Sequence, residues 1–326
     1  MINSTLVSIC IPTYNSALYL SQTLDSIAAQ TYKNIEVIIS DNASTDETPD
    51  IIQLYCDRYG WTVYRNEVNI GAGNNFNKLI ELAHGEHIAI YHADDIYSPT
   101  IVEESIKIFQ QYPEIGYVGT EANIINEKGI IVGEFIRPQK FINTHKIIMN
   151  FDDVFEGIIR HIMLVTPSIM VKKEMYKQYG YFLIDSKYGA ACDYELWLRF
   201  ASQKNIAILN QKLISYRIHS QQGSELELRK NVKIPDIVAV YEEYMSKLTN
   251  QDIYKKARYH SQKLILAAAF KQNILGLFVK SNETLKKSNL YPYFVPKIFL
   301  YMLNYFKFPI QLIPLIGSKI RHKIKF

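Results

Sequence analysis

Two adjacent carboxylates, Asp94 and Asp95, stand just beyond the apolar run 88–91, with His92 between that run and the acids. So short an apolar run reads as a buried strand, and in an open α/β sheet ligands gather beyond the carboxyl ends of the strands. Neighbouring carboxylates repel each other and resist desolvation, so a hard divalent ion such as Mg²⁺ or Mn²⁺, carrying phosphate oxygens, would compensate both. A solvated turn capping the helix after Tyr97-Ser98-Pro99 accounts for the same residues. The stretch alone leaves both readings open.

Four other places carry side chains suited to chemistry. Pro12-Thr13-Tyr14-Asn15 follows the strand-like run 6–11, and Asp41-Asn42 follows the run 35–40, so both converge on one sheet edge. An aspartate there can accept hydrogen bonds from a nucleobase or ribose, and taken singly it is as readily a turn residue. The loop Asn69-Ile70-Gly71-Ala72-Gly73-Asn74-Asn75 leads into a helix N-terminus, an anion site where glycines let the backbone approach phosphate. A dinucleotide fingerprint would need a third glycine at position 76, which is Phe76. Asp193 opens an amphipathic helix whose dipole favours its ionised form, as a general base requires, although an N-cap would look the same. Arg217 and His219 end a strand at i and i+2, on one face, where they could hold a diphosphate or complete a metal shell.

The elements needed to position these residues follow in order. Strands over 6–11, 35–40, 62–65 and 87–91 alternate with helices over 16–30, 48–59 and 73–83, the last closed by Gly85. This rhythm predicts a largely parallel sheet with helices on both faces. Beyond Pro99 we expect a helix to Tyr112, a hairpin turning at Asn126-Glu127-Lys128-Gly129, and a mobile loop over the site at 137–160. A strand over 168–171, helices over 173–179 and 193–202, and edge strands over 206–209 and 213–216 follow. From Pro235 the pattern is helical. The expected division is 1–225, with nucleotide-sugar residues in 1–98 and acceptor and base residues in 99–225, and a helical region over 226–326.

With 326 residues, 48% hydrophobic and 21% charged, the chain can bury a large core. Cys10, Cys56 and Cys192 form no CxxC pair, a reducing-compartment pattern, and no basic n-region with a cleavage site precedes the first strand, so secretion is not expected. The formal charge of +4 is uneven: from Ser281 onward eight basic residues face one acid, a net +7, which leaves −3 for the rest. A basic, aromatic tail on an acidic body points to a membrane face and away from nucleic acid. Prolines and lysines interrupt 294–326 too often for a spanning helix, so an interfacial helix over 298–308, with its lysines snorkelling, is expected. A helix packed on the body is the alternative.

Taken together, the series resembles the inverting family-two glycosyltransferases of GT-A fold, over about residues 6–224. The resemblance rests on Ile11-Pro12-Thr13-Tyr14-Asn15, the run from Ser21 to Thr31, Ser40-Asp41-Asn42-Ala43-Ser44-Thr45-Asp46, Asn69-x-Gly71, Ala93-Asp94-Asp95, Asp193 with Trp197 and Arg199, and Arg217-x-His219. It implies that Pro12, Tyr14 and Asp41 hold the nucleotide base, with Thr13, Asn15, Asn69, Gly71 and Asn75 around them. It further implies that Asp94 binds the metal with His92 and His219, that Asp95 and Arg217 face the donor diphosphate, and that Asp193 is the base. There are two departures: His92 stands where the family usually has an aspartate, and Cys192 where an acid often precedes the base. The implied activity is inverting transfer of a hexose or deoxyhexose from a UDP- or dTDP-sugar to a lipid-linked or oligosaccharide acceptor. O-antigen or capsule synthesis at the inner face of the cell membrane is the setting it suggests. A sugar nucleotidyltransferase would instead need a glycine-rich loop at 12–15, and a non-catalytic sugar-binding relative would have lost its metal site at His92.

Overall fold

Four strands rich in β-branched residues, β1 (Val7–Thr13), β2 (Ile35–Asp41), β3 (Thr62–Arg65) and β4 (His87–Ile90), lie parallel in the order β3-β2-β1-β4. They are joined by helices α1 (Ala17–Ala28), α2 (Thr48–Tyr59) and α3 (Ala72–Leu82). The computed structural model describes residues 5–143, 147–159, 164–184, 186–220, 222, 232–288, 294–307 and 309. β1 and β4 are buried almost throughout, as strands of a covered parallel sheet must be. Helix α1 buries Tyr19, Leu20, Thr23, Leu24 and Ile27, a single stripe at helical spacing. Each fully buried leucine or isoleucine in that stripe contributes about 1.5–3 kcal/mol.

Ser16 makes no side-chain cap at the start of α1; the loop after β2 does this work instead. The Ala17 N–H donates to Asp46 Oδ2 (3.2 Å) and the Ser16 N–H to Thr48 Oγ1 (2.8 Å), which ties the ends of β1 and β2 together. Gly85 sits where a Cβ would come within 2.6 Å of the Ser8 nitrogen, so only glycine admits the close approach of this turn to β1.

The second half of the sheet contains β5 (Ile96–Tyr97), α4 (Ile101–Gln111), β6 (Tyr117–Ile125), β7 (Ile131–Phe135), α5 (Gln139–Asn143), β8 (Ile148–Met149) and α6 (Phe151–Ile159). A 3₁₀ turn, Thr166–Ser168, then leads to β9 (Met170–Lys172), α7 (Lys173–Tyr179), α8 (Cys192–Ala201) and β10 (Ile206–Arg217). The strand order continues β4-β9-β6-β10-β5, and β9 runs antiparallel to both its neighbours. The sheet is therefore mixed: parallel through β3-β2-β1-β4 and again between β6 and β10, with antiparallel pairs elsewhere. The hairpin between β6 and β7 turns as expected, with Gly129 at φ 77° and Asn126 Oδ1 accepting from the Lys128 and Ile130 N–H groups.

Two expectations are corrected here. The segment 137–160 is not a loop in its described part, because α6 buries Val154, Phe155, Ile158 and Ile159 at helical spacing. The two edge strands proposed after 206 are one interior strand, β10, whose register slips between Leu209 and Lys212. That bulge broke the alternation in the sequence.

The contacts divide the chain into Met1–Ser186 with Cys192–His219, and Lys187–Ala191 with Ser220–Phe326. The second unit is helical: α9 (Ile237–Tyr244), α10 (Gln251–Ile274), α11 (Phe278–Lys286) and α12 (Phe294–Tyr305). Its small core joins Leu266, Ala269, Leu285 and Leu300. Helix α12 buries Leu300 in that core but also carries polar residues inward and apolar ones outward. Asn304 is buried among Asn273, Ser281 and Asn282, while Val295, Ile298, Met302 and Tyr305 are exposed, Tyr305 by 80%. Lys297 does not snorkel; it is buried and donates to the Ser288 carbonyl, and burial lowers its pKa. The helix spans Phe294–Tyr305 and so includes residues ahead of the expected 298, and Phe308 lies outside the described residues. Among the described residues no helix is long and apolar enough to cross a membrane.

Candidate active site

The register of the parallel strands sets Thr13 beside Asp41, and Asp41 beside Arg65. Asp41 is buried, and its Oδ1 accepts from the hydroxyls of Ser44 and Thr13. Its Oδ2 lies 3.5 Å from Nε of Arg65, a half-exposed side chain that also donates to the Ser44 carbonyl. The sequence reading passed over Arg65; its place at the carboxyl end of the third parallel strand was the available signal. Tyr14 is 48% exposed, and Asn15 takes φ 47°, a left-handed conformation that asparagine tolerates. The Asn15 N–H donates to Ser44 Oγ and its Oδ1 accepts from the Thr45 N–H, both at 2.9 Å.

In the loop before α3, Asn69 Oδ1 accepts from Asn42 Nδ2 and from the Gly71 N–H, both at 2.8 Å. Asn75 does not face this loop. It is buried, accepts from Ser40 Oγ at 2.6 Å and donates to the Ser40 carbonyl at 2.9 Å, so it locks α3 to β2.

Beyond β4, ligand-capable atoms of His92, Asp94 and Asp95 lie within 4.8 Å of one another. His92 Nε2 and Asp95 Oδ2 are buried and have no hydrogen-bond partner. Such orphaned groups are costly unless something compensates, and a cation satisfies both, so these residues fit a divalent metal. His219 Nε2 lies 3.0 Å from Asp94 Oδ2. Burial pushes Asp94 up, but the His219 hydrogen bond and the charges of His92 and His219 outweigh it and hold the carboxyl below its ordinary range. Asp95, fully buried and beside the Asp94 charge, is pushed well above it. The nitrogen of His92 is pushed down by burial.

Arg217 was expected to share a ligand with His219, but its guanidinium is spent inside the protein. It is buried, with Nε donating to the Asp94 carbonyl (2.8 Å), Nη2 to Gln22 Oε1 (2.8 Å) and Nη1 to the carbonyls of Asn126 and Glu127. The backbone N–H of Arg217 donates to Asp95 Oδ1 at 2.8 Å. Tyr19 of α1 braces both residues, lying under the guanidinium at 4.4 Å and against the His219 ring at 5.1 Å. Arg217 thus builds the turn that carries the acids.

Asp193 is the second residue of α8. Its Oδ2 accepts from Thr166 Oγ1 at 2.9 Å and its Oδ1 from the Tyr194 N–H at 2.7 Å. Burial raises its pKa, and the Thr166 hydroxyl and backbone N–H groups only partly oppose it. Glu195 and Arg199, one turn apart, form a partly buried ion pair at 2.7 Å.

The chain is similar to known proteins in sequence and in fold. An uncharacterized glycosyltransferase of Rickettsia typhi is 31% identical over 274 residues, covering 83% of this chain and 81% of its own. The structure of S. aureus TarS 1-349 in complex with UDP-GlcNAc superposes with a TM-score of 0.62 at 17% identity, over 92% of this chain and 89% of that one. The mannosyltransferase PcManGT of Pyrobaculum calidifontis, in complex with GDP-Man and Mn²⁺, gives 0.59 at 16% identity, over 98% and 84%. The sequence profile described as glycosyl transferase family 2 matches residues 8–179, more than half the protein, and the chain belongs to that family.

Proposed function

We propose that the protein transfers a hexose or deoxyhexose, with inversion, from a UDP- or dTDP-sugar to a lipid-linked or oligosaccharide acceptor during synthesis of a cell-surface polysaccharide. The observation that carries this reading is the pair of orphaned buried atoms on His92 and Asp95, beside Asp94 at the same sheet edge as Thr13, Asp41 and Arg65. A base-reading edge next to a cation-ready turn is what a nucleotide diphosphate needs. Asp41 and Arg65, with the exposed ring of Tyr14, receive the nucleoside. Asp94, His92 and Asp95 would hold Mg²⁺ or Mn²⁺, whose charge offsets that of the departing diphosphate. His219 orients the Asp94 carboxylate, and Arg217 holds the turn beneath it. Asp193 takes the proton of the acceptor hydroxyl as that oxygen attacks the anomeric carbon from the face opposite the leaving group. A panel of nucleotide sugars, assayed for nucleoside diphosphate release with and without divalent ions, tests the reading. Release that persists in full with excess chelator removes the metal from it, and no release from any donor removes transfer.

The same proposal places the protein on the inner face of the cell membrane. The outward apolar residues of α12 and the +7 charge from Ser281 onward support this, since each basic residue near an anionic surface adds about 1 kcal/mol. Ile298→Glu with Met302→Glu, or removal of residues 292–326, should shift the protein from anionic vesicles into solution while diphosphate release continues. Equal partition of all three proteins would refute it.

A further inference from the structure

Trp197 lies one turn beyond Asp193 on α8, and the two side chains meet on a single hydroxyl from another element. Thr166 Oγ1 accepts from the Trp197 indole Nε1 at 3.2 Å and donates to Asp193 Oδ2 at 2.9 Å. An indole N–H can only donate, so it holds the threonine lone pair and leaves the hydroxyl proton to point at the carboxylate. We propose that Thr166 is the positioning residue of the base, an inference that rests on Asp193 being that base.

Both ends of this relay are immobilised. Trp197 is buried, tilted against Tyr117 at 5.5 Å and edge-on to Phe182 at 6.1 Å, and the Tyr117 hydroxyl donates to its carbonyl. The 3₁₀ turn of Thr166 is anchored to β6 through Ser168, whose Oγ accepts from the Thr120 N–H and donates to its carbonyl. The Tyr194 N–H holds the second carboxylate oxygen, so the plane of the carboxyl is inherited from the core.

The hydroxyl also opposes the upward push of burial on the Asp193 pKa, so its loss should raise that pKa further. The titratable groups around Asp193 are engaged elsewhere or pushed up. Cys192 is pushed up to about 11, and Tyr194 higher still, chiefly by burial. Glu195 is paired with Arg199 on the same helix. On the packed helices, Glu156 of α6 pairs with Lys140, Asp153 accepts from the Asn150 N–H, and Glu174 of α7 pairs with Lys204.

The test is the pH profile of nucleoside diphosphate release, using the donor selected by the panel and water as acceptor. Thr166→Val should move the acidic limb up by about one to two pH units, the span expected for a hydrogen bond to a charged group, with nucleoside diphosphate affinity unchanged. Thr166→Ser should restore the parental limb, and Trp197→Phe should raise it by less than the valine variant. A parental limb in Thr166→Val overturns the proposal. If that variant does not fold, a parental limb in Trp197→Phe does so instead. A nearly active Asp193→Asn removes the base reading and this inference with it, whereas a crippled Asp193→Asn beside a parental Thr166→Val removes this inference alone.

Discussion

Asp94 and Asp193 are both partly buried, yet their surroundings drive them in opposite directions. Asp94 faces two imidazoles, and their charges with the His219 hydrogen bond hold its carboxyl low despite burial. Asp193 faces a hydroxyl and backbone N–H groups, which carry no net charge, so burial wins and its pKa rises. A carboxylate flanked by imidazoles and held below its ordinary range is suited to keep its charge and hold a metal. One surrounded by neutral donors is suited to gain a proton and lose it again.

The sharpest way to break this contrast is Asp193→Asn, which keeps the shape but cannot take a proton. Transfer should fall by about 10² to 10⁴, the usual contribution of general-base catalysis, with nucleotide binding intact by calorimetry. Near-parental transfer would strip Asp193 of the role. Asp94→Asn should instead abolish the divalent-ion dependence of release, with a loss of several kcal/mol in transition-state stabilisation. His92→Asp, read by Mn²⁺ titration, should tighten the metal if imidazole is the weaker ligand, and His92→Ala should only reduce activity. A parental Mn²⁺ curve in Asp94→Asn would dissolve the contrast from the other side.

Smaller effects sharpen it. Asp41→Asn should weaken nucleoside diphosphate binding by about 1–3 kcal/mol and leave the metal titration in place. Unchanged affinity would leave Asp41 as a brace for Thr13 and Ser44. The pH profile follows from the direction at Asp193: the base works only when ionised and its pKa is raised. Activity should therefore rise through a limb above the ordinary aspartate value of about 4. A limb at or below that value would contradict the raised pKa of Asp193.

The sequence disclosed the strands 7–13, 35–41 and 87–90 and the acids beyond them, because buried parallel strands are continuous apolar runs and their ends are marked by polar turns. It did not disclose that β9 would run antiparallel, since direction is decided by pairing partners and not by composition. Arg217 and Asn75 were legible as polar residues near the edge, but which way each side chain turns depends on contacts more than thirty positions away, with Asp94 and with Ser40. Thr166 carried no signal of its own. A lone threonine becomes informative only once α8 brings Asp193 and Trp197 to it.

One pairing has a consequence for how the protein folds. β5 leaves the acids of β4 and pairs with β10 at the other end of the strand order, with Ser215 beside Ile96, and this brings His219 to Asp94 across 125 positions of sequence. Contacts of such long range close late, because the loop entropy is spent before they are made. The contacts of Arg217 and His219 with the acids are therefore made only when the last strand has docked. A chain that has not yet delivered β10 would hold the ends of β1, β2 and β3 without the contacts that Arg217 and His219 make to Asp95 and Asp94.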